Sequence, residues 1–227
     1  MPAPHEAAEA AHALEAEENL RVIRSLMEKA TVYRALSAPG ALVGGVLSVA
    51  TASAGAFLCG DPNRDEGLLF VTPWMFVFCA TAIVNGFLLW RDAGRRGDVF
   101  LSAGMKLVLS AMFPGMAAGG LCVLIDFNGG TPVTASVWVL CYGVGLLAAA
   151  PFAPGSIRWL GRLFFVAGAA LLVSGCWFFE GWRVASPARD AHLIMGATFG
   201  LFHLVYAACT WPRGTRAATH VSAQAAG

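Results

Sequence analysis

The chain has 227 residues, of which 57% are apolar and 13% charged, with a net charge of +1 and a mean hydropathy of +0.65. A soluble domain is about one quarter charged, so this composition excludes a soluble globular protein. The near-neutral balance lacks the basic footprint that nucleic acid demands.

Residues 1–13 are small, polar and acidic, which predicts a disordered N-terminal tail rather than a basic-then-apolar signal peptide. From Leu14 the pattern turns helical. Ala16, Leu20, Ile23, Met27 and Ala30 step by four and three and predict an amphipathic helix over residues 14–36. Glu15, Glu17 and Glu18 open it and Arg24, Lys29 and Arg34 close it, in the order that complements the helix dipole. Such a stripe must bury against headgroups, the protein's own loops or another protein. Leu20, Ile23, Met27 and Ala30 are therefore the candidate contacts for a partner or for self-association. Ser37-Ala38-Pro39-Gly40 is expected to end the helix.

Six apolar runs follow, each about as long as a ~30 Å hydrocarbon core requires. The first, 40–58, carries a small-residue stripe that includes Gly40 and Gly44, and such stripes let helices approach closely in lipid. The second, 70–90, is bracketed by Trp74 and Trp90, read as interfacial markers. The third, 104–125, contains Pro114, expected to kink it, and then Gly115-x-x-x-Gly119. The fourth spans 132–151, and the fifth, 159–179, has Gly161, Gly168 and Gly175 seven residues apart. The sixth, 191–211, holds Gly196, Gly200, His203 and Tyr206. Residues 40–211 thus form one transmembrane domain and residues 212–227 a C-terminal tail.

Alternate loops differ in basic charge. Twelve Lys and Arg fall on one side (Arg21, Arg24, Lys29, Arg34, Arg91, Arg95, Arg96, Lys106, Arg158, Arg162, Arg213, Arg216) and three on the other (Arg64, Arg183, Arg189). This bias predicts an even number of spans with both termini cytoplasmic.

His203, about 18 Å along its run, is the one ionisable side chain near the middle of any run. It reads either as a neutral imidazole bonded to a neighbouring helix or as a proton- or ligand-binding group beside a wet cavity. Tyr206, Asn85, Ser110 and Lys106 complete a candidate polar centre, with Lys106 expected to snorkel to the headgroups. His192 lies about 16 Å from His203 on the same helix, so the two cannot share a haem iron. The six cysteines are scattered and show no zinc-like spacing; they read as buried thiols, with one disulfide among Cys59, Cys122 and Cys176 geometrically conceivable. No phosphate loop, nucleophile elbow, zinc-protease or kinase signature occurs, and no catalytic residue, metal ligand or cofactor is expected.

The segments ENLRVIRSLMEKATVYRA, WVLCYGVGLLAAAPF, SIRWLGRLFFVAGAALL and LIMGATFGLFHLVYA resemble those of a group of bacterial six-span integral membrane proteins with no assigned activity. The resemblance covers most of residues 17–211 and implies six spans. That group tends to carry a double proline in the third span, where this chain has Phe113-Pro114-Gly115.

The expected fold is all-α, a six-helix integral membrane bundle preceded by a cytoplasmic amphipathic helix, in a bacterial inner membrane. The expected function is that of a non-enzymatic accessory or sensory subunit acting by association. A small transporter or channel with a path near His203 is the first alternative, and a membrane enzyme acting on lipid or quinone the second.

Overall fold

The computed structural model describes residues 17–19, 38–59, 66–97, 100–101, 103–125, 131–178 and 186–211. Residues 17–19 are helical, but the four candidate partner contacts Leu20, Ile23, Met27 and Ala30 and both predicted tails lie outside the described residues. Among the described residues every regular element is helical. Six helices are long and apolar enough to cross a membrane, so the chain is an all-α, multi-pass membrane protein.

Helix α1 (Ala38–Leu58) begins at the Ala-Pro-Gly predicted to be a break, because Pro39 in a first turn lacks only an N–H that would be unpaired anyway. Helix α2 (Glu66–Arg96) has 31 residues and is about 46 Å long. That exceeds a ~30 Å core, so its last turns carry Arg91 and Arg95 beyond the apolar run. Gly97, at φ 70°, closes it in the left-handed conformation that only glycine adopts cheaply. Helix α3 (Ala103–Ile125) continues through Pro114.

Helix α4 (Pro132–Ala149) is capped by Thr131, whose Oγ1 accepts from the Thr134 N–H at 3.2 Å, and runs into a 3-10 turn at Ala150–Phe152. Helix α5 is Gly155–Phe178. Helix α6 spans Pro187–Thr210 and starts with the same device, Ser186 accepting from Arg189 N–H before a proline. It is not uniform. Pro187–Met195 and Leu201–Thr210 are α-helical, while Gly196–Gly200 form a π-helical turn.

The most enclosed span is α4. Buried residues make up 56% of its apolar window, against 33% for α6 and less for the others. It packs against α3, α5 and α6, while α6 packs along α1, and α1 along α2. Consecutive α2 and α3 are scarcely packed on each other. Large side chains such as Phe57, Phe76, Ile83, Phe113 and Val166 point outward from the bundle. In water that belt would be an aggregation hazard; in a bilayer it faces its solvent.

Between apolar helices, packing replaces the hydrophobic drive, and small residues set the distances. A Cβ at Gly143 would lie 2.5 Å from the backbone N of Phe165, and one at Gly168 2.5 Å from that of Leu140, so α4 and α5 touch backbone to backbone. Gly115 faces the Cys141 carbonyl, Gly119 the Cys141 side chain, Gly196 meets Ala52, and Gly200 meets Val49. Gly40 and Gly44 on α1 receive Asn85 and Thr81 of α2.

Candidate functional site

Two clusters of rings in the bundle's interior are each centred on a histidine of α6. The His203 cluster joins α4, α5 and α6. A backbone carbonyl only accepts, so His203 Nδ1 carries the proton it donates to Phe199 O at 2.7 Å. Nε2 of the neutral ring is then an acceptor and takes the Tyr142 hydroxyl proton at 3.0 Å. Tyr142, Phe164 and Phe199 surround the imidazole with centroids 5.5–6.1 Å away, and Phe202 packs on Phe164. Both ring nitrogens are satisfied, which is what a polar group in an apolar interior requires.

The His192 cluster joins α1, α2, α4 and α6 and reaches α3. His192 is fully buried. The indole of Trp74 can only donate, and it bonds His192 Nδ1 at 3.1 Å, which puts the imidazole proton on Nε2. Phe70 stands edge-on to the imidazole at 5.2 Å and stacks on Trp138 at 5.5 Å. Trp138 in turn donates to the Gly119 carbonyl at 3.0 Å. A side chain at Gly55 would overlap the imidazole, so α1 passes directly beneath it. His192 Nε2 has no hydrogen-bond partner among the described residues. The nearby acceptor is the backbone of Leu69, whose carbonyl lacks its helical donor because residue 73 is proline, but no bond of ordinary geometry closes between them.

The predicted polar centre is distributed rather than assembled. Tyr206 is buried one turn beyond His203, its hydroxyl 3.4 Å from Ser156 Oγ. Asn85 lies on the far side of α1, its Oδ1 buried against Gly40 and without a partner among the described residues, as is Thr81 Oγ1. Ser110 is exposed and bonds its own helix at Leu107 O (2.8 Å), and Lys106 is exposed as well. No hydrogen bond links Asn85, Ser110 or Lys106 to His203 among the described residues.

Trp74 corrects the sequence reading. Trp90 is 59% exposed as an interfacial residue should be, but Trp74 is 3% exposed and belongs to the core, because its N–H is used by His192. Tyr142 and His192 were also missed as cluster members. The available signal was Phe70 and Trp74 at i,i+4 on a run that also holds a proline. Cys79, Cys122, Cys141 and Cys209 are thiols, and the Cys176 side chain lies outside the described residues. No group of three or more His, Cys, Asp or Glu converges among the described residues.

A cleft of about 590 Å³ opens between α1 and α2, walled by Ala54, Leu58, Leu68 and Pro73 with the hydroxyl-bearing Thr51 and Thr72. Gly55 and Leu69 complete it, and both also adjoin His192. Comparison with known protein families, curated proteins and solved structures finds no match for the chain.

Proposed function

We propose that this multi-pass membrane protein is a non-enzymatic accessory or sensory subunit of a bacterial inner membrane. In this reading both termini are cytoplasmic and the protein acts by association through residues 14–36. The observation that carries the reading is the state of His203. Its two nitrogens are committed to Tyr142 and Phe199 inside a box of aromatic rings, and the α1–α2 cleft lies elsewhere in the bundle. A residue that handles a transported proton or solute must exchange partners along a wet path. A histidine bonded on both sides between three helices is a joint. With the His203 cluster serving as scaffold, the amphipathic stripe of residues 14–36 and the charged loops are left as the parts that meet a partner protein.

The test is purification of the full chain in mild detergent, with identification of what co-purifies, alongside the double variant Ile23→Glu, Met27→Glu. Glutamate keeps helix propensity while removing the stripe. Loss of a partner or oligomer with normal insertion supports association. An unchanged complex, or one that was never present, sinks it. Reporter fusions after Arg34, Arg95 and Arg216 should score cytoplasmic, and fusions after Arg64 and Pro187 external.

A further inference from the structure

The seam between α1 and α2 is tight at one end and open at the other. Toward its closed end Thr81 packs so near Gly44 that a Cβ there would lie 3.0 Å from its methyl group, and Asn85 fills the notch over Gly40. Toward its open end the imidazole of His192 bears on both Gly55 and Trp74, and the two helices stand apart around the 590 Å³ cleft. That volume lies within the range of small-molecule sites. The rim residues Leu58 and Leu68 are 48% and 65% exposed on the outer surface of the bundle, so the cleft is entered from the bilayer.

Two hydroxyls interrupt an otherwise aliphatic lining, and they stand level. Thr51 is about 10 Å from the end of α1 and Thr72 about 9 Å from the start of α2. Ser53, Ser110, Ser136 and Thr198 donate to carbonyls of their own helices. Thr51 and Thr72 make no such bond among the described residues. Their depth selects the occupant. Helix α1 has 21 residues and is about 31 Å long, so it just crosses a ~30 Å core and places Thr51 about 10 Å inside the hydrocarbon. Phospholipid ester carbonyls belong to the interfacial layer outside that core. A ligand meeting these hydroxyls must carry its acceptors on a wholly apolar body.

We propose that the α1–α2 cleft binds a quinone, its ring carbonyls accepting from Thr51 and Thr72 and its apolar tail leaving into the bilayer past Leu58 and Leu68, with His192 propping the seam open. This is a binding site, with no electron transfer assigned to it, and it does not depend on association through residues 14–36.

The experiment titrates the purified full-length protein in detergent with a short-tailed benzoquinone and measures bound ligand by equilibrium dialysis. The parent should bind one equivalent saturably. Thr51→Val with Thr72→Val keeps the shape and removes both donors, and should weaken binding about tenfold. Ala54→Trp, at an exposed lining position, should fill the cleft and abolish binding without disturbing the core. No saturable binding by the parent, undiminished binding by either variant, or mole-for-mole displacement by a diester phospholipid overturns the proposal. The last of these would assign the cleft to acyl chains.

Discussion

His192 and His203 sit on one helix and are held in opposite ways. His203 is satisfied at both nitrogens by neighbours one turn away and across the α4 interface, and the rings around it add shape rather than polarity. His192 is fully buried yet bonded at one nitrogen only among the described residues, pressed between a glycine of α1 and two aromatic rings of α2. An interior donor left unpaired costs roughly 1–3 kcal/mol. The contrast separates a histidine that closes an interface from one that stands in the way of closure, and the cleft lies beside the second.

The sharpest way to break the comparison is Gly55→Leu. A side chain there must expel the His192 ring from α1, and the expected loss is about 3 kcal/mol or more in denaturant unfolding in detergent. Parent-like unfolding would mean that His192 does not rest on α1. Gly196→Leu and Gly200→Leu, which press on Ala52 and Val49, should each cost about 1–3 kcal/mol by overpacking the α1–α6 contact.

Next come the partners. Tyr142→Phe strips a donor from a ring whose nitrogens are both in use, whereas Trp74→Phe strips the one bond His192 makes among the described residues. Each should destabilise by about 1–3 kcal/mol. A neutral result for Tyr142→Phe would remove the joint from the His203 description. At His203 itself, Gln should be tolerated better than Leu, which leaves the Tyr142 hydroxyl without its acceptor; the reverse order of melting temperatures would contradict the assigned bonds.

The smallest effect belongs to Ser110→Ala, which removes only a bond from an exposed side chain to its own helix. A change within about 0.5 kcal/mol is expected. A larger one would return Ser110 to the polar centre.

The spans were legible because ~20-residue apolar runs have one stable conformation in lipid. The neighbours were not. In a soluble bundle the apolar stripe marks the buried face, but here the faces toward lipid and toward protein are both apolar. The sequence therefore offered no way to tell that Phe70 turns inward and Phe76 outward. Glycines carried more information, since Gly40, Gly44, Gly115, Gly119, Gly196 and Gly200 each lie at a helix contact. His203 stands mid-run, where an ionisable group is conspicuous in the sequence. His192 lies one turn and a half into its helix, where nothing in the sequence shows that Trp74 bonds to it. Tyr142 lay within a run read only for its hydropathy, and an aromatic hydroxyl there gives no clue to which helix it will meet.

The π-helical turn at Gly196–Gly200 has a rotational consequence. Residues 192 and 203 on an unbroken α-helix would differ in azimuth by only about 20° and would look out of the same side. A π turn accommodates an extra residue, so everything beyond it lags by up to the ~100° that one residue contributes. That phase slip lets a single helix present one imidazole to α1 and α2 and the other to Tyr142 on α4 and Phe164 on α5. Deleting Ala197 would remove the extra residue and the π turn together, leaving ten α-helical steps that hold the two rings about 80° apart, so both clusters should survive. Replacing the turn by regular α-helix with all eleven steps kept would instead bring the rings into line and break one of the clusters.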